Sequence, residues 1–158
     1  MADFSNETIE AAMLAALDEA RSAAGTGEYP YGAVIVAQNG DIVARAQDRV
    51  VRDNDPTSHA EIEAVKAAIR IVGPDLEGHA LVSNVEACAM CSTAAWWARV
   101  DLVAYGISQA DLFAIRPDSM DEAGLSIAEA QAPFSRKMEI RPDILREDAE
   151  VLWTRHRE

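Results

Sequence analysis

One imidazole and two sulfurs that stand far apart in the chain constrain its fold more than any other feature. His59-Ala60-Glu61 is followed, 27 residues after the glutamate, by Cys88-Ala89-Met90-Cys91. If His59, Cys88 and Cys91 are ligands of one ion, the segments that carry them must converge. A zinc ion held by one imidazole and two thiolates keeps a fourth tetrahedral position for water, which marks a catalytic rather than a structural centre. Glu61 is then a carboxylate beside the metal that is not needed as a ligand. It is free to move the protons of a hydrolysis.

The spacings say where these residues sit. Cys88 and Cys91 are three apart and share a helix face. At a helix N-terminus their thiolates are favoured by unpaired backbone N–H groups. That donation also draws density off the sulfurs, which otherwise weaken zinc as a Lewis acid. His59 and Glu61 are two apart and would diverge in mid-helix. Both reach one ion only beyond a helix end, which fits their place after Asp55-Pro56-Thr57-Ser58. The spacing predicts two helix N-termini facing one metal. A fourth structural ligand would have to come from His79 or His156, the only other histidines. One stands at a strand start and the other in the terminal tail. A redox C-x-x-C would follow a first strand, whereas this one comes after two strands and two helices.

At 158 residues the chain reads as a single domain, 1–158, long enough to bury a core without staples. Its formal net charge of −13 repels a phosphate backbone, and no run of Lys and Arg offsets it in the sequence. A small neutral partner is expected, and no nucleic acid. Both cysteines lie in the C-x-x-C, so no disulfide framework is available beyond that pair. The N-terminal residues lack a basic and an apolar signal region, and no apolar run reaches membrane-spanning length, so a cytoplasmic location is expected.

Ser5 and Asn6 suit the cap of a helix that repeats Ile9, Met13 and Leu17 and ends near Gly25. Tyr31–Ala37 and Asp41–Arg49, joined through Asn39-Gly40, predict a hairpin. Ile62, Val65, Ile69 and Val72 form the stripe of a second helix stopped by Gly73-Pro74. His79–Ser83 predicts a strand, Ala89–Ala98 a helix and Leu102–Ile107 a strand. Beyond that, Gln109–Ile115 suits one or two helical turns, Met138–Arg141 a short strand and Leu145–His156 a helix, with 118–130 unassigned. Strands alternating with helices imply a mixed sheet covered on both faces.

With these residues in view, the chain resembles the cytidine-deaminase-like superfamily, whose signature is H-x-E followed by P-C-x-x-C. Within it the bacterial guanine deaminase branch is most similar, and the transfer-RNA adenosine deaminases come next. The resemblance runs from about Tyr29 to Ile107. It covers Tyr29-Pro30-Tyr31-Gly32-Ala33-Val34-Ile35-Val36, Asn54-Asp55-Pro56-Thr57-Ser58-His59-Ala60-Glu61, Glu86-Ala87-Cys88-Ala89-Met90-Cys91 and Trp96-Trp97-Ala98-Arg99. It implies an α/β fold, a three-layer α/β/α sandwich with a five-stranded mixed sheet. It also implies one Zn2+ per subunit, a homodimer, and a C-terminal segment that closes a pocket, for which Leu152 and Trp153 are suited.

Two positions depart from the pattern. Ala87 replaces a proline that would pre-set the first helical turn. Asp48 replaces an asparagine which, in the family, hydrogen-bonds the bound base. Asparagine offers a donor and an acceptor, while an ionised aspartate offers acceptors only. Asp48 should thus favour a substrate edge of N–H donors. The candidate substrate-binding residues are Asp48, Tyr31, Trp97, Ala60 and Asp118. Tyr31 and Trp97 would sandwich a flat ring, and Asp118 or Asp111 would supply the carboxylate that guanine deaminases keep after the fourth strand.

The function these readings predict is hydrolytic deamination of a small free aminated heterocycle, a purine such as guanine or a cytosine- or triazine-like base. Hydroxide on zinc would attack the amidine carbon while Glu61 shuttles protons. Two alternatives stay open: a transfer-RNA or nucleoside adenosine deaminase, and a zinc-stabilised binding module without turnover.

Overall fold

Five strands form one mixed sheet in the order β2-β1-β3-β4-β5. They are β1 (Gly32–Ala37), β2 (Ile42–Gln47), β3 (His79–Val85), β4 (Leu102–Ile107) and β5 (Glu139–Arg141). The computed structural model describes residues 2–117 and 124–155. β1 pairs antiparallel with β2 and β3, whereas β3, β4 and β5 run parallel. The Asn39-Gly40 hairpin forms as its sequence predicts. Gly40 takes the positive φ of 93° that the turn demands, and its N–H donates to Ala37 O at 3.0 Å.

Side chains alternate along a strand, so β1 serves two cores. Val34 and Val36 face α1 (Asn6–Gly25), α5 (Gln109–Ile115) and α7 (Arg146–Arg155), packing with Ile9, Met13, Leu17, Leu112 and Trp153. Ala33 and Ile35 face α3 (Ala60–Val72), α4 (Ala89–Trp97) and α6 (Ile127–Gln131), among Ala64, Val65, Cys91, Ala95 and Ile127. Helices cover both faces. This is the three-layer sandwich that the resemblance implied.

Contact between α1 and the sheet requires a glycine. A Cβ on Gly32 would run into Ala16 O and come within 2.5 Å of Ala20 N. The same residue's N–H donates to Asn84 Oδ1 at 2.9 Å, and Asn84 Nδ2 donates to Pro30 O at 2.8 Å. One buried amide thus ties the Tyr29–Tyr31 segment to β3.

Three elements differ from the sequence reading, and β3 also runs two residues past Ser83 to Val85. β2 ends at Gln47 instead of Arg49, and the chain turns into a short helix, α2 (Val50–Asp53). Its first N–H groups find distant acceptors: Val51 N and Arg52 N donate to the Glu28 carboxylate at 3.0 and 2.6 Å. α6 lies in the stretch left unassigned. Ser126 and Glu129 close a reciprocal capping box there. No helix among the described residues is long and apolar enough to cross a membrane.

Candidate metal centre

His59 is the N-cap of α3 and Cys88 the N-cap of α4, with Cys91 in that helix's first turn. Both caps keep extended backbone, and neither side chain caps its own helix, which leaves imidazole and sulfur free to point outward. The two helix ends meet as the spacing predicts. Cys88 lies three residues beyond β3, at the carboxyl end of the parallel strands where α/β sheets place their sites.

The ligand atoms match one ion. His59 Nδ1 is 3.6 Å from Cys88 Sγ and 3.5 Å from Cys91 Sγ. Tetrahedral bonding at zinc's usual Zn–S and Zn–N lengths puts such atoms about 3.6 Å apart. Among the described residues these three form the one His, Cys, Asp or Glu group close enough to hold a metal. His79 is elsewhere, its Nδ1 3.2 Å from Glu77 O.

The local field suits a cation. The Cys88 sulfur, with the charges of Glu61 and Asp48, raises His59 to about 9 against the opposing effect of burial. The Cys91 thiol donates to Cys88, holding it down at about 4, and is itself pushed well up. Glu61 is 5% exposed, and its Oε2 lies 3.7 Å from Cys91 Sγ. Burial first, then the Cys88 charge, pushes its carboxyl up to about 7. A carboxyl poised near neutrality can both take and give a proton.

Asp48 is 3% exposed and electrostatically coupled to His59 and Glu61. Burial raises it to about 6, the Glu28 charge adding to this, while His59 and N–H groups of Val50 and Arg49 pull down. The next peptide is tied to the ligand loop, since Arg49 N donates to Ser58 O at 3.0 Å. Glu28, itself buried, was not singled out from sequence. Nothing in Gly27-Glu28-Tyr29 marks it, because its partners lie more than 20 residues away.

The other candidates are spread out. Ala60 is fully buried in the first turn of α3 and packs in the core. Tyr31 meets the fully buried Trp153 edge-on at 4.8 Å between centroids, so Trp153 serves as core within this chain. Trp97 is 74% exposed and touches the Trp96 ring at 5.2 Å. Asp111 is engaged by Arg146 at 2.7 Å. Asp118 and His156 lie outside the described residues.

Alanine at position 87 does not leave the ligand loop slack. Its carbonyl accepts from Ser92 Oγ and Gln109 Nε2, each at 3.1 Å. Glu86 reinforces this by accepting from Gln109 N at 3.0 Å and Ile127 N at 2.7 Å.

A family model for the cytidine and deoxycytidylate deaminase zinc-binding region matches residues 6–107. A guanine deaminase of Bacillus subtilis is 42% identical over 83 residues, 52% of this chain and 53% of its own length, so the chain matches about half of that relative. A tRNA-specific adenosine deaminase of Rickettsia bellii is 32% identical over 89% of this chain and 93% of its own length. Among solved structures, an NE0047 variant in complex with 8-azaguanine superposes with a TM-score of 0.84 at 25% identity, covering 97% of this chain and 84% of that one.

Proposed function

The chain belongs to the cytidine and deoxycytidylate deaminase zinc-binding family, and on that premise we propose that residues 1–158 form a single hydrolytic deaminase domain for a small free aminated heterocycle. The observation that carries the reading is the buried Glu61 carboxylate beside a three-ligand set. A merely structural zinc would need a fourth protein ligand and no such carboxylate.

His59, Cys88 and Cys91 would hold the zinc. Bound there, it supplies the Lewis acidity that brings a water toward neutral pKa. Glu61 would take one proton from the attacking water and give it to the ring nitrogen, then take the second from the hydroxyl so added to the ring carbon and give it to the departing amine, which leaves as ammonia. Asp48 orients the base. Its carboxylate is buried beside the N–H groups of Val50 and Arg49, and when ionised its lone pairs can take only donors. A base edge rich in N–H groups is therefore preferred, which shifts weight from guanine toward isoguanine, cytosine-like and triazine rings.

Relatives named as tRNA-specific adenosine deaminases support a second reading, an RNA substrate, which the net charge of −13 opposes. Ammonia release from guanine, isoguanine, cytosine, 5-azacytosine, ammeline, adenosine and a transfer RNA, with wild type beside Asp48→Asn, tests both. Ammonia release from a transfer RNA and from none of the free bases overturns the free-base assignment, and an unchanged ranking in the variant overturns the role given to Asp48.

A further inference from the structure

The chain has 27 acidic and 14 basic residues, yet four of its arginines converge on one cavity. Arg45 comes from β2, Arg49 and Arg52 from the α2 segment, and Arg70 from α3. They line a space of about 240 Å³ together with Glu19 and Glu63. No run of sequence announces this cluster. The four side chains meet only because β2 is the edge strand and α3 packs across it.

Local charge balance runs against that of the molecule. Arg49 pairs with Asp53 at 2.9 Å, Arg52 stands 3.9 Å from the same carboxylate, and Glu63 is offset by Lys66 at 3.6 Å. The lining itself thus sets four arginines against two glutamates. Arg45 and Arg70 have neither hydrogen bond nor ion pair among the described residues, despite the surplus of acids. Charged side chains on an edge strand also guard against strand pairing. That role would need Arg45 alone and gives no reason for Arg52 and Arg70 to face the same space.

We propose that this cavity is an anion site for the phosphate monoester group of a small ligand. Guanidinium forks match phosphate oxygens in pairs, and a phosphate monoester brings close to two negative charges at neutral pH, which offsets the local surplus. The cavity takes one such group rather than a strand, and the acidic remainder of the surface repels a polyanion. Its wall is continuous with the metal loop, because Arg49 follows Asp48 and its N–H holds Ser58 O beside His59. Occupancy there bears on the segment that presents Asp48. The inference does not depend on the deaminase reading.

Calorimetric titration of the zinc-loaded protein at constant ionic strength tests it with probes that carry no base: inorganic phosphate, ribose 5-phosphate, and ribose as control. Saturable submillimolar binding of the phosphates and none of ribose is expected. Tighter binding of ribose 5-phosphate than of inorganic phosphate would identify a phosphorylated metabolite as the source, and equal binding would identify the free ion. Arg45→Gln with Arg70→Gln, both exposed and so without effect on the melting curve, should weaken binding about tenfold or more. Glu19→Gln removes a competing carboxylate and should tighten it about two- to fivefold. Three results would overturn the proposal: no saturable binding, equal affinity in the double variant, or displacement of the phosphate by a short RNA at lower concentration.

Discussion

Glu61 and Asp48 are both buried carboxyls that feel the charge of His59, and different neighbours act on each. Glu61 is raised to about 7 by burial and the Cys88 charge, within reach of a proton relay. Glu61→Gln should lower kcat by about 10²–10⁴-fold while zinc content, read by metal analysis, stays stoichiometric. Asp48 is raised to about 6 from 3.8. A carboxyl whose folded pKa is raised costs stability above that pKa, and the cost vanishes below the unfolded value. Asp48→Asn should therefore raise Tm above pH 6 and leave it unchanged below pH 4, as thermal melts across that window would read. A variant that melts lower at pH 8 would show that the ionised form is stabilised by partners that outweigh its burial.

Among the elements, the long helices and the hairpin were legible because each is announced by its own residues: Ser5 caps α1, and Asn39-Gly40 turns the hairpin. α6 carried an equally local signal in Ser126 and Glu129 that went unread. Ser126→Ala removes that capping box and should cost about 1 kcal/mol in chemical denaturation. α2 was not legible at all, since four residues capped by Glu28 have no periodicity of their own. Gly32→Ala forces a methyl into the α1 backbone and should cost about 1–3 kcal/mol in chemical denaturation.

For the whole molecule, a zinc held between α3 and α4 would link two helix ends that meet across one face of the sheet. Chelation should lower Tm, by the equivalent of about 4 kcal/mol when free zinc stands near a thousand times its Kd, and a Cys88→Ala protein should melt alike with and without chelator. The sequence by itself marked His59, Cys88 and Cys91 as candidate ligands, Glu61 as the carboxylate beside them, and the layered fold. Ligand spacing, capping and strand alternation are local properties, readable wherever a few neighbouring residues carry them. Only the tertiary structure decided that Glu28 stands against Asp48, that Trp97 faces outward while Trp153 fills the core, and that four arginines share one cavity. Each of those depends on side chains brought together from separate elements, and a charge or a ring acquires its surroundings only after the chain has closed around it.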